Sequence, residues 1–499
     1  MTELLPAMGV IAIVLTVAAL VSGLVDRAPI SFPMIFLGLG FLLGPLGLGW
    51  VDVGLHSALL EVVAVISLAL VLFMDAVNVD IDELKADWFV PLLTLGPGTL
   101  LTIAGVALAG YWLLGTAPLV ALLLGAILAS TDPVVLRDVV RDPRIPRSVR
   151  RALSVEAGMN DLIVLPIVLV LIAVLTRPAA SALDWTIYLG RVLVLSPLLG
   201  LLVGGVGGWL MGKADARYGI RTEYQALYGI GLVLAAFATG QTFGGDGFLA
   251  SFFAGLAITL FNMSLCDCFI EYGEVSAEML MFLAFVLFGA VLSTLFSTFF
   301  GGWALLPALV LAVVAIFVVR PLSMGLVLLR ARMSNTARLF IGWFGPRGLN
   351  SLLLALLAVQ AHVAGAEWLM AVTGVVVVFS VIVHGATATP LAGWYGRRVA
   401  KAEETPAEER EPTFAGLFEE DGRAPLRITP DEVVALQAAA AAARQPGPVL
   451  LDVRARRSYE EAGGQIPGSI RVQPDQVTEW ATAWKELHDR SQLIVAYCT

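Results

Sequence analysis

Charge is scarce in this chain. Of its 499 residues, 14% are Asp, Glu, Lys or Arg, against about 25% in ordinary soluble domains. With 58% hydrophobic residues, the composition excludes a soluble globular protein and is that of an integral membrane protein. The scarcity ends near residue 396, beyond which the chain turns polar and acidic, so the net charge of −9 is largely a property of the tail. Cysteine is scarce as well. Cys266, Cys268 and Cys498 are the three in the chain, which excludes a disulfide framework. Cys266-Asp267-Cys268 has no further ligands nearby and reads as two loop thiols. No basic patch is interleaved with aromatics, which excludes nucleic acid as a partner. The N-terminus lacks a basic n-region and a small-residue cleavage site, so residues 5–24 read as a first span and not as a cleaved signal.

Long apolar runs are what the chain has in plenty. About 20 apolar residues cross a bilayer, and thirteen segments qualify: 5–24, 30–49, 57–79, 90–114, 117–137, 150–175, 186–211, 223–241, 247–262, 277–298, 302–329, 336–360 and 366–395. Positive charge clusters in the loops 137–151, 213–221 and 330–338 and after the last span, all on one side by this count; Arg177 is the exception. The positive-inside rule puts that side and the C-terminal region in the cytoplasm, and an odd span count puts the N-terminus outside. An offset of seven spans aligns Phe32–Gly40 with Gly247–Leu256, and aligns a break at Thr131-Asp132-Pro133 with one at Gly345-Pro346-Arg347-Gly348. Seven is odd, so the halves have opposite orientation. The expected fold is an all-α polytopic membrane protein, about 13 transmembrane helices in two inverted repeats. Paired broken crossing helices mark a midplane site.

The chemistry gathers at those breaks. Pro133 lacks an N–H, clashes with the carbonyl of Ala129 and biases Asp132 away from helical geometry. Backbone carbonyls and the Thr131 hydroxyl are thereby freed, and such oxygens suit hard alkali cations. Two roles are open to Asp132: direct ligation, or neutralisation of half-helix ends. In span six, Asn160 and Asp161 lie about 100° apart around the helix and can flank one site. A carboxylate at membrane depth is costly and marks a transport site by default. Asp161 is the natural carrier, because a carboxylate holds either a proton or a small cation; Asn160 cannot ionise and would orient it. Glu156 is about 140° from Asp161 around the helix, poorly placed to share the ion. It reads as the partner of Arg347 in a structural ion pair, with Arg320 as the second candidate. Asp75 either lines an inward funnel with Asp80 and Asp82 or is simply solvated. Ser154, two turns from Asp161 on the same face, is a weaker candidate ligand.

Across roughly residues 8–396 these motifs resemble the monovalent cation:proton antiporter superfamily, in its electroneutral sodium/proton exchanger branch. The elements are Pro33 through Gly44-Pro45, Thr131-Asp132-Pro133, Glu156 with Asn160-Asp161, Gly247-Phe248-Leu249-Ala250, Arg320-Pro321, Gly345-Pro346-Arg347-Gly348 and His384-Gly385-Ala386-Thr387. The resemblance implies a homodimer in the lipid bilayer and a core domain moving against a dimerisation domain. It also implies no cofactor beyond the transported Na+ (or K+ or Li+) and H+. The Asn-Asp pair, in place of two aspartates, implies one cation per proton. Ala157 departs from the Ser that the family often has after the Glu, which leaves the choice between Na+ and K+ open.

Residues 397–425 read as a charged, Pro-containing linker. From 426 to 499 the pattern resembles a partial rhodanese-like region. Its elements are a capped helix start at 428–432, a buried strand at 449–454, a turn at 464–470 and a strand at 493–498. Cys498 stands at the family's sulfur-carrying position. The chain stops one residue later, and Gln465 stands where the family usually has His. Sulfur transfer is therefore not expected, nor is any other enzyme activity. The expected function is exchange of Na+ for H+ by alternating access. The alternatives are a cation channel or electrogenic antiporter and, from another class, a membrane-anchored sulfur or redox sensor.

Overall fold

The computed structural model describes residues 4–25, 31–78, 88–142, 144–177, 181–261, 273–299, 301, 305–331 and 333–400, and parts of 433–497. Asp80, Asp82, Cys266, Cys268, the linker from 401 and Cys498 lie outside the described residues. The 433–497 parts comprise 433–434, 436–437, 447–453, 465–472, 480–481, 484 and 493–497.

Apolar segments in a bilayer must satisfy their backbone polar groups internally, which makes them helices. The described helices fall in chain order as α1 (Leu4–Val25), α2 (Phe32–Leu43), α3 (Ala58–Val77), α4 (Phe89–Leu114) and α5 (Pro118–Ala129). Then come α6 (Pro133–Arg141), α7 (Arg147–Thr176), α8 (Ala182–Tyr218), α9 (Thr222–Thr242) and α10 (Gly247–Phe261). The rest are α11 (Glu274–Phe299), α12 (Leu305–Arg330), α13 (Asn335–Trp343), α14 (Leu349–Gln360) and α15 (Ala366–Ala400). Among the described residues, eight helical segments are long and apolar enough to cross a membrane on length and composition, and shorter apolar helices run through Met8–Leu20, Phe32–Leu43, Gly247–Leu260 and Leu349–Gln360. Helices α5 and α6 are the two halves of the broken fifth span, and α13 and α14 the halves of the broken twelfth.

Packing follows the seven-span offset. Helix α2 lies along α11, and α10 lies along α3; shifting by seven spans exchanges these two pairings. Gly40 is where α2 meets α11, since an added Cβ there would overlap the Val286 carbonyl oxygen. Gly255 does the same where α10 meets α3, since a Cβ there would overlap the Phe73 carbonyl oxygen. Each helix of the fourth and eleventh spans contains a π turn, at Thr94–Gly98 and Ala315–Val319. Such turns shift the register of the residues after them. Helices α1–α3 and α8–α11 pack mainly among themselves, as do α4–α7 and α12–α15.

The C-terminal unit begins at Pro412. Its described residues include a parallel sheet of order β2-β1-β3, with β1 at Val449–Asp452, β2 at Ile470–Arg471 and β3 at Ile494–Tyr497. Asp452 is buried and accepts from the Tyr497 hydroxyl at 3.0 Å.

Candidate functional site at the helix crossing

The two breaks meet. The Asp132 amide donates to the Pro346 carbonyl at 2.9 Å, joining one unwound segment to the other. Asp132 sits where two helices begin. Its Oδ1 accepts from the Val134 amide and its Oδ2 from the Leu349 amide, both at 2.9 Å. One carboxylate thus caps α6 and α14 together and faces the positive end of both. Of the two roles open from the sequence, this geometry is that of neutralising half-helix ends. Gly348 is what lets the chain approach so closely: an added Cβ would overlap the Asp132 carboxylate.

The two helix C-termini at the crossing are met by cations. Arg347 Nη1 donates to the carbonyls of Ala129 and Ser130, at 3.1 and 3.3 Å, where α5 ends. Arg320 Nη2 donates to the Phe344 carbonyl at 3.0 Å, where α13 ends. Nε2 of His384 lies 3.1 Å from the neighbouring Trp343 carbonyl. The four orphaned half-helix ends are thus balanced by one carboxylate and two guanidinium groups.

Arg320, and not Arg347, is the partner of Glu156. Its Nη1 and Nη2 reach Oε1 and Oε2 at 2.5 and 2.6 Å, and both side chains are 2% exposed. This corrects the first pairing expected from the sequence in favour of the second candidate. The broken end of α5 leaves carbonyls without partners, and Arg347 aims Nη1 at them, while Arg320 reaches both oxygens of Glu156. Arg320 comes directly after the π turn of α12, facing Glu156.

Asp161 is buried on α7, and its two oxygens have different neutral donors. Ser130 Oγ donates to Oδ1 and Asn350 Nδ2 to Oδ2, each at 2.7 Å. Ser130 comes from the first break and Asn350 from just after the second. Asn160 donates from Nδ2 to the Ala129 carbonyl at 3.2 Å and to Thr99 Oγ1 at 3.4 Å. Thr99 directly follows the π turn of α4. Both π turns of the repeat therefore deliver a residue to α7. Among the described residues, Asn160 Oδ1 and Thr131 Oγ1 are buried with no hydrogen-bond partner. Neither Asp161 nor Asp75 has an ion-pair partner among the described residues. The sequence reading missed Ser130, Asn350 and Thr99. Ser130 adjoins the Thr-Asp-Pro break, and Asn350 is an isolated amide in an apolar half-helix, so both had a local signal. Thr99 had none.

Asp75 and Ser154 are placed elsewhere. Both line a cavity of about 360 Å³ together with Asn78, Arg137 and Glu278, and Asp161 is not in its wall. The cavity lies at the arginine-rich ends of the helices. Gly158, one turn before Asp161, also lines it, and its Cα side approaches the Asp75 backbone. Beyond the spans, Arg144 chelates Asp142 and holds its carboxyl below the usual range. Among the described residues no cluster of three His, Cys, Asp or Glu is arranged to hold a metal ion.

Comparison with known proteins agrees with this architecture. The family described as "Sodium/hydrogen exchanger, transmembrane" matches residues 12–394, and the one described as "Rhodanese-like domain" matches residues 430–499. The K(+)/H(+) antiporter NhaP of Alkalimonas amylolytica is 28% identical over 397 residues, 79% of this chain and 67% of the relative. The K(+)/H(+) antiporter NhaP2 of Shewanella sp. (strain ANA-3) is 30% identical over 406 residues, with the same shares of 79% and 67%. The solved structure of the sodium proton antiporter MjNhaP1 from Methanocaldococcus jannaschii at pH 8 superimposes with a TM-score of 0.66 at 22% identity. It covers 78% of this chain and 98% of that one.

Proposed function

Because this chain belongs to the sodium/hydrogen exchanger family, we propose that it exchanges a monovalent alkali cation for a proton, with Asp161 as the site both ions use in turn. The observation behind this is the bonding of Asp161: a buried carboxylate at the crossing of two broken helices, held by two neutral donors and, among the described residues, by no cation. A carboxylate so held accepts a proton or a small cation without breaking an ion pair. The partnerless oxygens of Thr131 and Asn160 supply further acceptors. Asp132 is the cap that keeps the crossing in shape, and Glu156–Arg320 is structural. The cavity at Asp75 and Ser154 is the approach from the cytoplasm, where the arginine-rich loops and the C-terminal region lie.

One ion replaces the other on a single carboxylate, and Asn160 adds no second titrating group, so exchange is electroneutral and one for one. Access alternates as the α4–α7 and α12–α15 bundle moves against the other helices. The transporter is a homodimer in the cell membrane, and exposed apolar side chains on α8 such as Leu198, Leu202 and Trp209 are available for such a contact. The rhodanese-like region has no sulfurtransferase role: Gln465 stands in place of His and donates to the Ser469 carbonyl. Na+ and K+ both fall within the proposal.

Proteoliposome exchange with Na+, K+ and Li+ gradients, with and without a clamped voltage, tests it. The expected result is cation-driven proton movement whose rate ignores the imposed potential. A steady current under opposed gradients would favour the channel or electrogenic reading.

A further inference from the structure

Two short rows of charge face each other at the mouth of the cavity. Helix α6 presents Arg137 and Arg141, and α11 presents Glu274 and Glu278. Each pair is spaced i, i+4, so its members lie on one face about one turn apart. The rows match in antiparallel order: Arg137 pairs with Glu278, and Arg141 with Glu274 at 3.4 Å. The inner pair is the better shielded, at 30% and 21% side-chain exposure; the outer is at 64% and 29%. All four residues line the cavity.

The position of this ladder gives it meaning. Helix α6 is capped by Asp132, five residues before Arg137, or about 7.5 Å along the axis. It belongs to the bundle that holds the crossing, whereas α11 belongs to the other. We propose that Arg137–Glu278 and Arg141–Glu274 form an ionic latch that holds the cavity open to the cytoplasm and releases when the crossing bundle moves. This rests on the transport reading for its purpose, but the ladder itself is read from geometry. A helical ladder tolerates little sliding, because its partners are one turn apart. Displacement of α6 along its axis separates both pairs, so the latch favours only the state in which they meet. A ligand-independent bias of this kind raises the fraction of protein able to accept a cytoplasmic cation.

The test uses the full chain in vesicles, with Cys266, Cys268 and Cys498 changed to Ser and Asn78→Cys placed on the cavity wall. The rate of modification by a membrane-impermeant maleimide from the arginine-rich face reports the open state. Arg137→Gln or Glu278→Gln is expected to slow modification about three- to five-fold, the equivalent of a partly shielded ion pair. The charge-swapped double variant Arg137→Glu with Glu278→Arg is expected to return to within about two-fold of the parent. The outer pair gives a folding-safe version: Arg141→Gln and Glu274→Gln should each slow modification by a smaller factor. Parent-like rates in all single variants would overturn the latch, as would a swapped variant slower than either single. Modification does not need transport. A chain that fails to exchange ions but responds to the swap refutes the proposed function and keeps the latch, whereas normal exchange with unresponsive modification does the reverse.

Discussion

Removing either partner of the Glu156–Arg320 pair should unfold the transporter before it alters ion choice. Both side chains are 2% exposed and share two short hydrogen bonds. Arg320→Gln leaves the Glu156 carboxylate buried without a cation and strips the Phe344 carbonyl of its donor. Breaking a buried pair from one side costs about 3–5 kcal/mol. At about 1.4 kcal/mol per factor of ten, the unfolded fraction rises roughly 100- to 4,000-fold. Glu156→Gln should behave alike. Replacing both groups by apolar residues of similar volume, Glu156→Leu with Arg320→Met, should recover most of the loss, because no charge is then stranded. The assay is size-exclusion chromatography of detergent-solubilised protein after graded heating, run as a double-mutant cycle. Coupling of about 2–3 kcal/mol is expected between Glu156 and Arg320. A cycle between Glu156 and Arg347 should show less, since Arg347 is bonded to Ala129 and Ser130 instead. Additive effects in the first cycle, or larger coupling in the second, would refute the reasoning.

Asp161→Asn should abolish exchange while leaving a folded protein, and near-normal proton efflux driven by Na+ or K+ would refute the assignment. Ser130→Ala and Asn350→Ala each remove a donor that favours the ionised form of Asp161. Protons then compete better with the cation, and the pH profile of exchange should move alkaline by about one unit per variant; an acid shift would count against the site. Gly348→Ala adds a methyl group that overlaps the Asp132 carboxylate. It should reduce exchange by at least about ten-fold without changing any charge, through loss of charge-assisted caps worth about 1.5–3 kcal/mol each, and an unchanged exchange rate in proteoliposomes would show the double cap to be dispensable.

The sequence by itself determined the membrane class, the succession of spans, the two breaks and the pairing of repeats. These follow from local properties. Apolar run length decides whether a segment spans, and Pro133 and the Gly345–Gly348 segment stop helices wherever they are placed. The strands at 449–454 and 493–498 were legible from apolar runs, and Val449–Asp452 and Ile494–Tyr497 pair in parallel.

Only the tertiary structure decided who meets whom. The sequence offered two arginines for Glu156, both at interrupted helices and equally charged. The choice depends on where the orphaned carbonyls of α5 fall and on how the π turn rotates Arg320, which are relations between helices. Asp132 gained its second partner, Leu349, from a segment 217 residues away. Ser130 and Asn350 reach one carboxylate from opposite halves of the chain. No local pattern encodes such convergence, since each residue is ordinary in its own helix and acquires its role only when the two broken spans cross.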